Sequence, residues 1–452
     1  MRRSTRVALA AILAVTGSAM AVSAMPAVAV NPVSMSAPTP VAKGTPLSAA
    51  HPVLDFAGRM QSATPLPTVS NPDPSLCAVD CQLWSLTVRT THRFLVSIHN
   101  GNSSIDDGFN LYVYDPAGNR VGAASGIGAN GQAVTVAPTS AGVYTIAVTV
   151  TYAYDAVARY FGEVRLMTPP SWDVAHCAGG SVCDILPALR VQPPADVHVD
   201  GVPPVASTPL GFPFPVDVST GNSCYVDETA ATGATRCLRF TSVVDNVGAG
   251  PLTLQIPYVA TSTGQPVVAF APGECHADQV IERSDGTTRT HPAGACLFHP
   301  QHAHFHYKDF VAFSLHKVNA DGTTGKQVAR SLKESFCLAD DGYFGFGTAG
   351  PNGQRDYVGQ PDCNLPTTPS TQSQDAWIRM GVSPGWGDIY TWDTPSQYID
   401  VTTTPPRVYD IVSRANPAGE LVVSGPPSPC AATRIKLTAT AVHIVNPNVP
   451  CH

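Results

Sequence analysis

The chain has 452 residues, of which 13% are charged, and its formal net charge at pH 7 is -7. This length allows two or three domains, and 42 Pro and 37 Gly residues favour many short strands joined by turns over helical bundles or disorder. An acidic chain is poorly suited to bind nucleic acid, so no nucleic-acid partner is expected.

Residues 1–29 have the pattern of a cleavable export signal. Three arginines among the first six residues precede an apolar run from Val7 to about Val22, and small residues follow it. The alternative is a membrane anchor, but the run is short for a bilayer span. Removing the three arginines would change the net charge from -7 to -10. The mature chain is predicted to be secreted or associated with the cell envelope and not to span the membrane. The route of export stays open.

Twelve cysteines all follow the signal segment. An even number of cysteines in an exported chain indicates disulfides, each worth about 2 to 4 kcal/mol. Zinc is the weaker explanation, because the cysteines are scattered rather than grouped in short-spaced pairs. The sequence does not determine which pairs form.

Residues 30–76 are rich in Pro, Ala, Ser and Thr, and they are interpreted as a linker. A small β-sandwich is predicted over residues 77–168 because alternating strands and turn signals recur there. Its strands are predicted at Phe94–Ile98, Asn110–Tyr114, Ala133–Val136, Val143–Val150 and Tyr160–Leu166. The runs at 107–119 and 140–146 resemble the bacterial pre-peptidase C-terminal domain, which implies an accessory module of an extracellular enzyme.

The strongest chemical signal is the histidine-rich run at residues 299–306, HPQHAHFH. Alternate residues of an extended segment project to the same face, so His302, His304 and His306 would present three imidazoles while Phe305 packs the other way. Three neutral nitrogen donors suit Cu(II), although zinc would also bind them. The other interpretation is a surface tract with incidental metal affinity. His299 is interpreted as structural or as a neighbour of the ligands.

Three segments of residues 171–452 are similar, in this order, to the lysyl oxidase family. The histidine run is similar to the copper motif of that family. The segment KESFCLAD at 333–340 is similar to the one whose lysine enters the cofactor, and GVSPGWGDIY at 381–390 to the one whose tyrosine becomes a quinone. Upstream, LRF at 238–240 and NVG at 246–248 fit the early strands of that domain.

This resemblance implies an all-β chain whose second domain is an irregular β-sandwich with long loops tied by disulfides. It implies copper on His302, His304 and His306, and a lysine tyrosylquinone from Lys333 and Tyr390. Copper and dioxygen oxidise the tyrosine ring to an ortho-quinone, to which the lysine amine adds.

The implied activity is oxidative deamination of primary amines, with lysine in peptides or proteins as the expected substrate. The products would be an aldehyde, ammonia and hydrogen peroxide. Asp388 is the first candidate for the base that removes a proton from the substrate, and its alternative role is that of a turn residue.

The chain departs from the family in three places, one of which is a strand one residue shorter after the copper histidines. The segment after Asn416 lacks the paired asparagines associated with calcium, which argues against a calcium site, and Trp386 stands where the family has a cysteine. Two other functions stay open. A secreted copper-binding envelope protein would keep the histidines without a quinone, and an adhesive β-sandwich protein would need no copper.

Overall fold

The computed structural model describes residues 38–61, 81–100, 108–124, 131–152, 157–167, 181–199, 223–260, 266–268, 275–299, 304–333, 335–345, 356–357, 363 and 376–451. The predicted export signal and His302 lie outside these residues. Within them the chain is almost entirely β, with one α-helix, α1 (Val226–Thr232), and a 3-10 helix at Val41–Gly44. The predicted all-β class is therefore confirmed. No helix in these ranges is long and apolar enough to cross a membrane.

The first part of the chain forms two facing sheets. Its described strands are β1 (Thr39–Pro40), β2 (Val53–Gln61), β3 (Cys81–Val88), β4 (Phe94–Asn100), β5 (Gly108–Tyr114), β6 (Arg120–Ala124), β7 (Gly131–Val136), β8 (Gly142–Tyr152) and β9 (Val157–Leu166). One sheet has the order β1-β3-β8-β5-β6 and the other β2-β9-β4-β7. Ring contacts such as Phe94 with Tyr144 and Phe109 with Tyr160 join the two sheets across the core. All five strands predicted in this region are present, close to their predicted limits.

The interpretation of residues 30–76 as a linker is wrong for β2. This strand pairs with β9 along its whole length, from Val53 opposite Arg165 to Gln61 opposite Val157. Leu54, Phe56 and Met60 alternate along it and are buried. This period-two pattern is short and is surrounded by Pro-rich and Ser-rich sequence, which conceals it.

The second part of the chain contains three further sheets. Its described strands begin with β10 (Asp184–Ile185), β11 (Leu189–Val191), β12 (Ala195–His198), β13 (Cys237–Asn246), β14 (Leu252–Ala260), β15 (Pro266–Val268), β16 (His276–Arg283), β17 (Thr288–His299), β18 (His304–Lys308) and β19 (Val311–Val318). They continue with β20 (Thr324–Arg330), β21 (Ser335–Phe336), β22 (Gly342–Tyr343), β23 (Ala376–Val382), β24 (Trp386–Tyr390), β25 (Tyr398–Asp400), β26 (Arg407–Ala415), β27 (Cys430–Leu437) and β28 (Val442–Val449).

The order of these strands places the histidine strand β18 and Tyr390 on two different sheets. The path β15-β14-β16-β17-β18-β21 includes the histidine strand, with β10 and β23 attached to β16 and β14. The path β11-β13-β24-β22 carries Tyr390 on β24, and β12 and β25 also pair with β13. The third sheet has the order β20-β19-β26-β27-β28.

Strand β13 lies at the centre of this second part, and all of its residues are buried. One of them is the charged Arg239. Its guanidinium donates from Nη1 to Glu228 at 2.7 Å, from Nε to the Trp392 carbonyl at 2.8 Å and from Nη2 to the Thr394 carbonyl at 2.7 Å. Glu228 also accepts a bond from the Ser396 amide at 2.7 Å. The pair therefore ties helix α1 and strand β13 to the segment that follows Tyr390.

Four disulfides join cysteines of the described ranges. The pairs are Cys224–Cys237, Cys275–Cys296, Cys337–Cys363 and Cys430–Cys451. The expectation that the cysteines form disulfides rather than a zinc site is confirmed for these eight. Each bond closes a short loop, of 13 to 26 residues in sequence separation.

We predict that Glu228→Ala lowers the free energy of unfolding by about 3 to 5 kcal/mol, because it leaves the Arg239 charge buried without its carboxylate. Urea unfolding followed by fluorescence measures this loss. Asp321→Ala is the matched control, because it removes an exposed carboxylate that accepts bonds only within its own turn. Its unfolding midpoint should stay close to that of the wild type. Equal midpoints for both variants would contradict a structural role for the buried pair.

Candidate active site

Lys333 and Tyr390, which are 390 − 333 = 57 residues apart in sequence, lie against each other. Lys333 follows β20, and its backbone N–H donates to the Ser331 hydroxyl at 3.1 Å. Its side chain is buried, and Nζ lies over the ring of Tyr390, 4.3 Å from the centroid. Tyr390 ends β24 and is only partly buried. The ε-amine therefore faces the ring to which the resemblance would join it.

Phe336 forms a second aromatic wall around the amine. Nζ of Lys333 is 5.0 Å from the centroid of the Phe336 ring. That ring meets Tyr390 edge to face, at 5.0 Å between centroids and 89° between planes. The two rings confine the amine and leave it little access to water, which limits the side chain to few rotamers.

Burial lowers the pKa of Lys333 to about 7, and the negative charge of Asp388 opposes this shift only in part. Removing an ammonium from water disfavours its charged form. Near neutral pH a large fraction of the amine is therefore unprotonated. This is the nucleophilic form of a lysine.

Asp388 lies inside β24, so the structure gives it a strand position and not the alternative turn position. Its Oδ1 accepts a bond from the Ala339 N–H at 3.1 Å. Burial and the neighbouring Asp341 raise the pKa of Asp388 well above its usual range, while Lys333 acts in the opposite direction. A raised pKa makes the ionised carboxylate a stronger base, which is the property that a proton acceptor needs.

The phenol of Tyr390 is fixed by the backbone of Cys337. Its Oη accepts a bond from the Cys337 N–H at 2.8 Å and lies 3.3 Å from the Cys337 carbonyl, to which it donates. Burial, and secondly the charge of Asp388, raise the pKa of Tyr390 well above its ordinary value. The ring is therefore held in one orientation as a neutral phenol.

His304 and His306 project to the same side of β18, as the alternation predicts. Both side chains are buried, and their Nε2 atoms are 2.9 Å apart. Phe305 packs the other way, with its ring 5.3 Å from that of Phe298. His299 ends β17, and its backbone pairs with His304. The side chain of His299, like all of His302, lies outside what the structure describes.

The histidine pair fits a metal such as Cu(II). Two metal–nitrogen bonds of about 2.0 to 2.1 Å at a right angle place the nitrogens about 2.9 Å apart, which is the separation observed here for neighbouring ligands of a tetragonal site. Nδ1 of His306 bonds the Ser335 hydroxyl at 3.1 Å, which orients the ring with Nε2 toward its partner. In the described ranges no three His, Cys, Asp or Glu side chains form a group able to hold a metal. His302, the predicted third ligand, is outside them.

The Cys337–Cys363 disulfide connects the histidine strand with Tyr390. Cys337 holds the phenol, and the carbonyl of Cys363 accepts a bond from the N–H of Phe305, between the two histidines, at 2.8 Å. Strand β18 also pairs with β21, at Tyr307 opposite Phe336. The two candidate centres are thus joined through backbone hydrogen bonds to the two ends of this disulfide and through a sheet.

Three residues of the site had no role in the sequence interpretation. Ser335 orients His306, Phe336 encloses the lysine amine, and Asp341 raises the pKa of Asp388 and accepts a bond from the Ile389 N–H at 3.2 Å. All three lie within eight residues of Lys333 in sequence. Their closeness to that lysine in sequence was the available signal. The positions of Ser335 and Phe336 follow from the pairing of β18 with β21, and that of Asp341 from its bonds to β24.

The structure shows the surroundings of two departures from the family pattern, at Asn416 and Trp386. Asn416, which has a positive φ of 47°, closes the loop after it through side-chain bonds to the Leu421 backbone and to the Pro427 carbonyl. The expectation against calcium stays a prediction. Trp386 is fully buried, with its ring 5.5 Å from that of Tyr343.

Comparison with known proteins supports both resemblances in part. Residues 80–149 match the family model of the bacterial pre-peptidase C-terminal domain. The chain is similar to lysyl oxidase homolog 1 from Homo sapiens and from Bos taurus, in each case with 33% identity over 120 residues. This stretch is 26% of the present chain, and the chain spans only 17% and 16% of the two relatives.

Among solved structures, tripeptidyl peptidase 2 aligns with 83% of this chain and 29% of its own, at 8% identity. Its TM-score of 0.19 is too low to indicate a shared fold. A lysyl oxidase-like relationship therefore has the support of local sequence similarity.

We predict that Lys333→Met stabilises the copper-free protein at pH 7 by on the order of 4 kcal/mol. In the unfolded chain the lysine pKa is about 10.4, against about 7 when folded. Between these values the unfolded state binds more protons, so wild-type stability rises with pH and the advantage of methionine shrinks toward zero near pH 10. Urea unfolding at pH 7 and pH 10 measures the difference in the free energy of unfolding between Lys333→Met and the wild type.

The control for this experiment is Lys436→Met, which removes an exposed lysine. A Lys333→Met variant that is less stable than wild type at pH 7, or equally shifted at both pH values, would show that burial of the amine does not depress its pKa.

We predict that His304→Ala and His306→Ala each weaken Cu(II) binding by at least about tenfold, because each removes one of two nitrogens that suit neighbouring ligand positions. Calorimetric titration of the chelator-treated protein measures the affinity. His443→Ala, on the exposed strand β28, should bind copper as the wild type does. Undiminished binding in both β18 variants would assign the copper affinity to other residues.

Proposed function

We propose that this chain is an exported, copper-dependent amine oxidase of the lysyl oxidase type. It would convert primary amines, with lysine side chains of peptides or proteins as the favoured substrates, to aldehydes with release of ammonia and hydrogen peroxide. The observation that carries the proposal is the buried amine of Lys333 held over the ring of Tyr390. The local similarity to lysyl oxidase homolog 1 and the disulfides typical of exported proteins support it.

In this proposal Lys333 and Tyr390 form the quinone, and His302, His304 and His306 hold copper. Together these groups supply the electron acceptor that amine oxidation requires, which no protein side chain provides by itself. The donor set of His304 and His306 fits this role in residue type, burial and separation.

The contribution of Lys333 is an uncharged amine in a fixed position. Because burial brings its pKa to about 7, the amine is available as a nucleophile at neutral pH. Its position over the face of the Tyr390 ring is the direction from which an amine attacks an aromatic ring that has become electrophilic. The two aromatic walls exclude water that would compete for the same carbon.

Asp388 is the proton acceptor of the proposal. Its carboxyl is buried in the strand that ends at Tyr390, and the proximity of Asp341 favours the protonated form. In its ionised form, which the charge of Lys333 favours, it would take the proton that Lys333 loses on forming the link, and afterwards the proton from the amine-bearing carbon of a substrate. The negative charge of this region, and of the chain as a whole, favours cationic amines.

The test is a mass spectrum of peptides from exported protein that has been loaded with copper in the presence of dioxygen. We expect a covalently joined pair of peptides that contain Lys333 and Tyr390, with the link absent from Tyr390→Phe and Lys333→Met. Tyr398→Phe changes another buried tyrosine of the same segment and should keep the link. Linked protein should release hydrogen peroxide with a lysine-containing peptide, but not with the same peptide containing norleucine.

Unmodified Lys333 and Tyr390 in fully copper-loaded protein would exclude the oxidase. That result would favour a copper-binding envelope protein without turnover, which would need only His302, His304 and His306. A protein that binds no copper would instead favour an adhesive sandwich.

A further inference from the structure

The outer face of the sheet β2-β9-β4-β7 is buried where a two-layer sandwich would leave it exposed. Along β4, Phe94, Val96 and Ile98 face the core of the N-terminal sandwich. The residues between them, Leu95 and Ser97, point to the other side, yet they are only 5% and 1% exposed. Another part of the chain must cover them.

The buried area has a defined edge on this sheet. Ser97 lies opposite Ala133 on β7 and opposite Glu163 on β9, and both of these residues are also buried. The next outward-facing position of β9, Phe161, is 49% exposed. The covered patch, formed by Leu95, Ser97, Ala133 and Glu163, is therefore a contact surface of limited extent.

Strand β22 of the second part of the chain covers this patch. It contacts both β4 and β7, and its Tyr343 is 1% exposed. Glu163 and Arg165 of β9 both act on the phenol, whose pKa is raised mainly by burial. Leu95 and Tyr343 belong to one contiguous cluster of buried apolar residues that extends through both parts of the chain.

The same Tyr343 lies against the strand that ends at Tyr390. It pairs with Trp386 of β24, and the two rings are 5.5 Å apart. On either side of this pair, the Asp341 N–H donates to the Gly387 carbonyl at 2.9 Å and the Phe344 N–H to the Gly385 carbonyl at 2.7 Å. Strand β22 is only two residues long, so it cannot hold β24 in position unless it is itself supported from the other side.

We propose that the N-terminal sandwich is a positioning element for the candidate active site and acts through Tyr343 on β24, instead of being a separately tethered module. Glu163, the charged residue of the covered patch, is already paired, since Arg165 donates to both of its carboxylate oxygens at 2.8 and 2.9 Å. The contact therefore transmits packing and not charge. The proposal that this contact promotes the link between Lys333 and Tyr390 rests on the proposed function. The proposal that the contact supports β24 does not.

The first test is hydrogen exchange of the full chain, read on peptides that cover β24 and β26. Ala133→Arg inserts a long side chain into the covered patch, and Tyr343→Ala removes the contact from the opposite side. Each should accelerate exchange of β24 by at least about tenfold and leave β26 unchanged, because local opening costs less than global unfolding. Phe161→Arg, an exposed position on the same face, is the matched control.

The proposal is wrong if β24 exchanges no faster in Ala133→Arg and Tyr343→Ala than in Phe161→Arg, or if β26 accelerates by the same factor as β24. The second test follows formation of the Lys333–Tyr390 link by mass spectrometry in copper-loaded protein. It should form at least about tenfold more slowly in both contact variants. Faster exchange of β24 together with no link even in the wild type would reject the proposed oxidase and leave the positioning contact in place.

Discussion

A charged side chain inside strand β13, whose residues are all buried, sets the arrangement around the candidate site. The guanidinium of Arg239 cannot lose its charge, so every element near it must offer an acceptor. The acceptors are Glu228 and the carbonyls of Trp392 and Thr394, which directly follow β24. That segment must therefore turn back over β13, and Tyr390 is fixed at the bend. Hydrophobic packing alone would leave this turn free to adopt other paths.

The candidate site keeps several ionisable groups away from water at a cost in stability. Lys333, Asp388 and Asp341 are buried within one small region, and burial lowers the pKa of Lys333 and raises the pKa of Asp388. Shifts of this kind are concentrated at functional sites, because a proton donor or acceptor must change its charge at the working pH. A purely structural core would be more stable with apolar residues at these positions.

The sequence predicts the parts of this protein that depend on local periodicity. Alternation identifies the strands of the N-terminal sandwich and the shared orientation of His304 and His306. It also exists in β2, at Leu54, Phe56 and Met60, but the surrounding composition obscures it. The closeness of Lys333 and Tyr390 could be predicted only through the resemblance, since no local pattern relates residues separated by 57 positions. The roles of Ser335 and Phe336 depend on the register between β18 and β21, which is a tertiary property.

The burial of Leu95 and Ser97 beneath β22 was also not predictable from the sequence, because it too is a tertiary property. An outward apolar residue in one strand is ordinary on a protein surface. Only the burial of its neighbours Ala133 and Glu163, on separate strands, shows that another part of the chain covers this face.

The Cys337–Cys363 bond gives the site an order of assembly. One cysteine contacts the Tyr390 phenol through its backbone, and the carbonyl of the other holds the strand between the two histidines. In a reducing compartment the two cysteines are thiols, and the disulfide no longer connects the segment that contacts Tyr390 with the segment that contacts the histidine strand. The bond can close only after the chain reaches an oxidising environment. Under the proposed function, completion of the site would thereby depend on export of the chain to an oxidising compartment.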